Sequence, residues 1–289
     1  MNINKKYCGE ILIIGEHNTG KSTLMNKLIE KKVSITSKKK NTTQKNILGI
    51  QTTKNYQFIY IDTPGFKKNN DGKKFLIKLN IEEKIKKKLK IIILVLDKIF
   101  WSNNIKIITN FFKKKKINLI IALNKIDKIK KKEILLPFMK IIHEKSYFKE
   151  IIPVSAKTGE NIHILKKEIK KYLPQKEHNF NKNTHENSSI EFKIYEIFRE
   201  KIMRNFGDEL PYTTNIKIYS IKKNKFGEII IKSIIYIMHK RQKKIFIGKK
   251  GNKIKLLNIL IKKDLEKIFK KKIHLYIWIK HKKNNLKKI

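Results

Sequence analysis

The sequence has little that could cross-link it. Cys8 is its single cysteine, so no disulfide can form within the chain, and a reducing compartment is expected. Its eight histidines lack the spacing of a ligand set, which argues against structural zinc. Long apolar runs are missing as well: stretches such as Ile91 to Leu96 fall far short of the roughly 20 residues that span a bilayer. Strand-like residues begin by Ile11, which leaves no sign of a signal peptide. The expectation is a soluble cytoplasmic monomer, at most peripheral to a membrane.

Arginine is scarce too. Arg199, Arg204 and Arg241 are the only arginines among 70 basic residues, which face 24 acidic ones for a formal net charge of +46. Such a charge would ordinarily signal nucleic acid or an anionic membrane. Here the excess is lysine, mixed with isoleucine and asparagine along the whole chain as AT-rich codons would give. Bulk charge is therefore discounted, and only the placement of basic residues relative to motifs is used.

What is present reads as two domains, for which 289 residues suffice. Over residues 1–173 short apolar runs alternate with amphipathic stretches. Strands are expected at Ile11–Ile14, Ile47–Gln51, Phe58–Ile61, Ile91–Leu96, Leu119–Leu123 and Ile151–Val154. Helices fit after residue 21 and around Phe75–Leu89, Asn104–Lys116, Ile134–Lys145 and Ile162–Tyr172. This alternation predicts an α/β domain, a mostly parallel sheet with helices on both faces and ligands at the carboxyl ends of the strands. Residues 174–189 turn polar and read as a linker. Residues 190–289 predict an α+β unit: a helix from Ile190 to Phe206, strands Thr214–Ile221 and Ile229–Met238, a helix to Phe269 and a strand His274–Ile279.

The motifs fall at strand ends. Gly15-Glu16-His17-Asn18-Thr19-Gly20-Lys21-Ser22 fits G-x-x-x-x-G-K-[ST], with a strand before it and a helix, beginning Ser22-Thr23, after it. Backbone N–H groups of such a loop converge on phosphate, aided by the helix N-terminus. Lys21 would reach the β- and γ-phosphates, and Ser22 would ligate Mg²⁺. Asp62-Thr63-Pro64-Gly65 follows the third strand. Its carboxylate can hold Mg²⁺, and the Gly65 N–H can sense a γ-phosphate. Alone, this tetrapeptide would be an ordinary turn.

Asn124-Lys125-Ile126-Asp127 adds base specificity. The Asp127 carboxylate can accept from guanine N1–H and the exocyclic amine, donors that adenine lacks. Asn124 would brace the loops, and the Lys125 stem would lie along the base. Ser155-Ala156-Lys157 can offer a backbone N–H to guanine O6. Between the phosphate loop and Asp62, the polar stretch Ser34 to Gln44 suits a mobile switch. Thr43, or Thr42 beside it, would complete the Mg²⁺ shell with Ser22 and Asp62. Phe66 occupies the place where many GTPases carry a water-orienting glutamine, so unassisted hydrolysis should be slow. The Asn18 amide oxygen could hold K⁺ against the phosphates or merely brace the loop. Lys21, Thr43, Gly65 and Asn18 are the catalytic candidates.

In the second unit Gly248-Lys249-Lys250-Gly251 precedes an amphipathic helix. A G-x-x-G loop there can clamp the backbone of single-stranded nucleic acid.

Taken together, these residues resemble the bacterial Era GTPases. The resemblance includes Ile35-Thr36-Ser37, the block Arg199 to Arg204, Glu209-Leu210-Pro211-Tyr212, and Ile247 to Lys255. It implies a GTPase domain followed by a type II KH domain, with GTP or GDP and Mg²⁺ as ligands. It also implies binding of 16S ribosomal RNA near its 3′ end, with Arg204 and Lys253 beside the G-x-x-G loop. Small (30S) subunit maturation and loose association with the inner membrane follow from the same resemblance. Glu16 and His17 stand where the family has a basic residue and proline, and Gln44 where it has arginine. The sequence given ends at Ile289, without the family's leucine-glycine-tyrosine tail. A reading of another class is an RNA-binding module that holds GTP or GDP as a structural ligand without hydrolysing it.

Overall fold

The computed structural model describes residues 5–34, 46–66, 76, 83, 89–145, 147–185, 189–207 and 210–281. They fall into two compact units, one carrying the described residues up to 185 and the other those from 189.

The first unit is built on six strands: β1 (Tyr7–Gly15), β2 (Ile47–Thr52), β3 (Tyr56–Asp62), β4 (Ile91–Leu96), β5 (Asn118–Leu123) and β6 (Glu150–Pro153). Their order is β2-β3-β1-β4-β5-β6, parallel except where β2 runs against β3. Every residue of β4 is buried, as a central parallel strand covered on both faces requires. This explains why its sequence is an unbroken apolar run. β1 extends beyond Ile11–Ile14 because Tyr7 to Glu10 pair in register with Tyr56 to Ile59. Helices α1 (Lys21–Ile29), α2 (Asn103–Lys114), α3 (Leu135–Lys145) and α4 (Ile162–Lys170) accompany the sheet. Helix α2 starts at Ser102, whose hydroxyl accepts from the Ile105 N–H at 3.3 Å, and it buries Ile105, Ile108 and Phe112. Such an N-cap satisfies a donor that the first turn leaves open. The helix expected around Phe75–Leu89 lies mostly outside the described residues.

The expected linker is not free chain over its first part. The buried Gln57 amide accepts from the N–H groups of Asn179 and Phe180 at 2.7 and 3.0 Å and donates to the Phe180 carbonyl at 2.7 Å. The Cys8 and Ile50 N–H groups bond the carbonyls of Pro174 and His185. The segment is polar because it satisfies strand edges through its backbone, and this leaves no apolar period to read.

The second unit comprises α5 (Ile190–Asn205), β7 (Thr214–Lys223), β8 (Ile229–Ile237), α6 (Lys240–Ile247), α7 (Asn252–Phe269) and β9 (Ile273–His281). Its sheet has the order β7-β8-β9, with β8 antiparallel to β7 and parallel to β9. The core joins Phe198 of α5, Ile231 and Ile235 of β8, Leu257, Ile261 and Leu265 of α7, and Ile273 of β9. Helix α6 was not expected from the sequence. Among the described residues no helix is long and apolar enough to cross a membrane.

Candidate functional site

The carboxyl ends of β1, β3, β4 and β5, with the turn after β6, carry the expected residues of the first unit. The loop after β1 wraps the Lys21 side chain. Its ammonium donates to the carbonyls of Gly15 at 3.2 Å and Glu16 at 2.7 Å. Lys21 is only 6% exposed, and burial pushes its pKa down to about 8 against the opposing pull of Asp62, Asp97 and Glu16. A buried ammonium held by two carbonyls is a cation waiting for an anion. The Thr19 hydroxyl closes the loop by donating to the Glu16 carbonyl at 3.0 Å.

Two glycines keep the cradle open. At Gly65 a Cβ would come within 2.8 Å of both the Lys21 Nζ and the His17 Nδ1, so any side chain would fill the space beside the ammonium. Gly20, at φ 96, would press a Cβ into the Asn124 amide. That amide donates to the Thr19 carbonyl at 2.8 Å and accepts from the Ala156 N–H at 2.9 Å. Asn124 thereby ties the loop after β1 to the turn after β6.

Ser22 and Asp62 meet at 2.6 Å, hydroxyl to carboxylate, and the Ser34 hydroxyl donates to the same Asp62 oxygen at 3.0 Å. Serine and aspartate oxygens are hard donors of the kind Mg²⁺ takes, so the set fits that ion. Thr43, Thr42 and Gln44, expected in the switch, lie outside the described residues. Thr63 is buried and donates to the Ile13 carbonyl at 2.8 Å, fixing the turn that carries Pro64 and Gly65.

On the base side, the exposed Asp127 carboxylate is steadied on one oxygen by the Ser155 hydroxyl at 2.7 Å. Lys125, at φ 69, reaches back to the Asn18 carbonyl at 2.5 Å and the Asp97 carboxylate at 2.6 Å. Of the three residues expected to offer a backbone N–H to O6, the N–H of Ser155 bonds the Glu160 carbonyl and that of Ala156 bonds Asn124. The Lys157 N–H has no partner among the described residues and is the one open to a base oxygen.

Two expected ligand residues turn their side chains elsewhere. Phe66 and Ile126, each 2% exposed, belong to the apolar core. Phe66 contributes only backbone to the loop: its N–H donates to Gly15 and its carbonyl accepts from His17. Two residues of the site were not singled out from the sequence, Asp97 and Asn26, and Ser34 was placed in the switch without a role of its own. Asn26 accepts from the N–H groups of Val33 and Ser34 at 2.8 Å each. Asp97 had a signal, since it follows an apolar run at a strand end as Asp62 and Asn124 do.

In the second unit, Lys249 and Lys250 are exposed between Gly248 (φ 72) and Gly251 (φ 77), ahead of α7. The Lys253 stem packs over Gly248. Arg204, on α5, is exposed and pairs with the buried Glu200 one turn back at 2.7 Å.

Comparison with known proteins agrees with both units. Residues 10–125 match a family model described as a 50S ribosome-binding GTPase, and residues 209–286 match the KH domain. The GTPase Era of Buchnera aphidicola subsp. Acyrthosiphon pisum (strain Tuc7) is 45% identical over 98% of this chain and 100% of its own. That of Glaesserella parasuis serovar 5 is 39% identical over 97% and 93%. The crystal structure of Era with MgGDPNP and nucleotides 1506–1542 of 16S ribosomal RNA superposes with a TM-score of 0.87 at 32% identity, covering 96% of this chain and 95% of that one. With a phosphate-loop motif, a G-x-x-G loop and full-length relatives in agreement, the chain belongs to the Era GTPase family.

Proposed function

We propose that this protein hydrolyses GTP in the first unit and uses its nucleotide state to control binding of the 3′ region of 16S ribosomal RNA by the second. The setting is maturation of the small ribosomal subunit in the cytoplasm. The observation that carries the nucleotide half is the buried Lys21 ammonium, held by two loop carbonyls beside the space that Gly65 leaves open. Ser22, Asp62 and Thr43 would hold Mg²⁺, which supplies charge neutralisation at the phosphates. Lys21 and the loop N–H groups bind and orient the γ-phosphate for in-line attack by water, so most of the catalysis is positioning and electrostatics. Phe66 is buried in the core and leaves water positioning to other groups. The RNA half is supported by the relative solved with a 16S fragment and by the exposed lysines of the G-x-x-G loop.

A pH profile tests the nucleotide site. Lys21 has a pKa lowered to about 8 in the nucleotide-free protein, and bound phosphate favours its protonated form. Binding therefore takes up a proton above that pH. GTP affinity is expected to be insensitive to this group below about pH 7 and to fall by up to ~10-fold per pH unit above pH 8. The stability of the free protein runs the other way, rising between the folded value and 10.5, where the unfolded chain still holds a proton that the folded chain has lost. Isothermal titration across pH 7–9.5 reads both the affinity and the proton uptake; no proton uptake would remove Lys21 from the phosphate site.

For the RNA site, the double substitution Lys249→Ala with Lys250→Ala is expected to weaken binding of a 16S 3′-end oligonucleotide. The slope of log affinity against log salt should drop by up to about two units. Filter binding over a salt series, with GTP and with GDP, measures this. An unchanged slope takes the loop off the contact surface, and equal affinity in both nucleotide states takes away the coupling.

A further inference from the structure

The sheet of the second unit has two unlike faces. Side chains alternate along a strand, and Ile273 and Leu275 of β9 enter the core with Leu257, Ile261 and Leu265 of α7. Tyr276 and Trp278 are therefore set by their alternation on the face opposite α7. They are 49% and 44% exposed, with ring centroids 6.2 Å apart and planes within 17°.

Lysines surround the rings. Tyr276 lies opposite Lys232, and Ile234, opposite Trp278, lies opposite Lys217 on its other side. Two residues on from Trp278 is Lys280. Lys217, Lys232 and Lys280 are exposed and have no ion-pair partner among the described residues. None of the three strands contains an acidic residue. Glu228, just before β8, has its carboxylate engaged by Asn224, Lys272 and His274. On β7, at the opposite edge of the sheet from the rings, a register shift between Ile218 and Ser220 leaves Tyr219 as the extra residue, 69% exposed. Bulges of this kind re-aim side chains at functional surfaces.

We propose that this face is a second RNA-binding surface, on which the bases of a single strand stack against Trp278 and Tyr276 while Lys217, Lys232 and Lys280 contact its phosphates. Large exposed aromatic surface is costly in water, and a protein partner with an apolar patch could also cover it. The uniform positive charge decides between them. A strand of RNA presents π-faces at the spacing of its phosphates, and both halves of this surface are then used. The site is separate from the G-x-x-G loop, which opens α7 on the other side of the sheet. The proposal extends the reading that the second unit binds RNA and is tested apart from it.

The test uses the full chain carrying Lys249→Ala with Lys250→Ala, so that the loop contributes little. Trp101 and Trp278 are its only tryptophans. Oligouridylate and oligoadenylate are each expected to quench the tryptophan emission, and the quench should vanish in Trp278→Phe. Tyr276→Ala with Trp278→Ala should weaken oligonucleotide binding roughly fivefold to a hundredfold, the range of one stacked base. Both rings are on the surface, so the fold survives their loss, and the unchanged far-ultraviolet dichroism of the variants checks this. Absence of any quench, or equal binding with and without the rings, overturns the proposal while leaving the loop's role standing. Vesicles of phosphatidylglycerol are the remaining probe: emission that blue-shifts with them and ignores RNA would assign the face to a membrane and overturn the proposal too.

Discussion

Lys21→Met is expected to lower GTP affinity by roughly two to three orders of magnitude, the scale for truncating one partner of a buried, hydrogen-bonded charge pair. The same change should leave the melting temperature of the nucleotide-free protein within about 5 °C of its starting value. The two effects separate because the ammonium is not a stabilising element of the empty site. Burial lowers its pKa from 10.5 to about 8, and at ~1.4 kcal/mol per unit the protonated side chain costs the free fold about 3 kcal/mol at neutral pH. Removing the charge relieves that cost. It also strands the carbonyls of Gly15 and Glu16, which lose a charged donor at 3.2 and 2.7 Å; two such bonds are worth about 3 kcal/mol together. The terms offset, and methionine keeps most of the packing. Nucleotide binding has no such offset, because only the liganded state uses the positive charge. A melting point lowered by more than about 10 °C would show Lys21 to be structural, and an affinity loss below about fivefold would show that phosphate is held elsewhere.

The site was legible in the sequence to the extent that its chemistry is local. The phosphate loop, Asp62 and Asn124 each follow an apolar run, and a strand end is where a parallel sheet presents ligands. Identity and position were readable there, but side-chain direction was not. Ile126 stands between Lys125 and Asp127 in the motif after β5, yet it is 2% exposed and anchors that turn to the core. Phe66 follows Gly65 directly and does the same. A motif states which residue types occur; the turn geometry decides which of them face the ligand.

Helix α6 was missed for a different reason. Lys240 to Ile247 buries only Gln242 and Phe246, too few apolar positions to show a period. Polar contacts hold its start instead: the Gln242 amide accepts from the N–H groups of Met238 and His239 at 3.1 Å each and donates to the Thr213 hydroxyl at 2.9 Å. The segment after Pro174 is similar. What fixes it is the Gln57 side chain, more than a hundred residues away in sequence. Contacts of that range leave no mark in the local pattern, whereas the long apolar runs of β4 and β5 were readable because burial on both faces demands them.

Asp127→Asn is expected to reverse the base preference of the site. A carboxylate offers only acceptors, and guanine presents two donors on that edge, N1–H and the exocyclic amine. Asparagine offers one acceptor and one donor, so its amide N–H₂ would face the guanine amine, donor against donor. The loss of a charge-assisted bond with that clash amounts to about 2–4 kcal/mol, or roughly 30- to 1,000-fold in GTP affinity. Xanthine carries a carbonyl in place of the amine and keeps N1–H. Against it the asparagine amide pairs donor to acceptor at both positions, and affinity for xanthosine triphosphate should rise by a comparable factor. The surroundings favour a clean exchange. Asp127 is exposed, so the substitution creates no buried defect, and the Ser155 hydroxyl that now donates to Oδ1 at 2.7 Å can donate equally to an amide oxygen. The Lys157 N–H, open to a base oxygen, meets the same O6 in both purines and does not discriminate between them. Equilibrium binding of the two triphosphates to both proteins gives a double comparison from which loop damage cancels, because damage lowers both affinities together. If the variant loses GTP without gaining xanthosine triphosphate, Asp127 supports the turn and does not read the base.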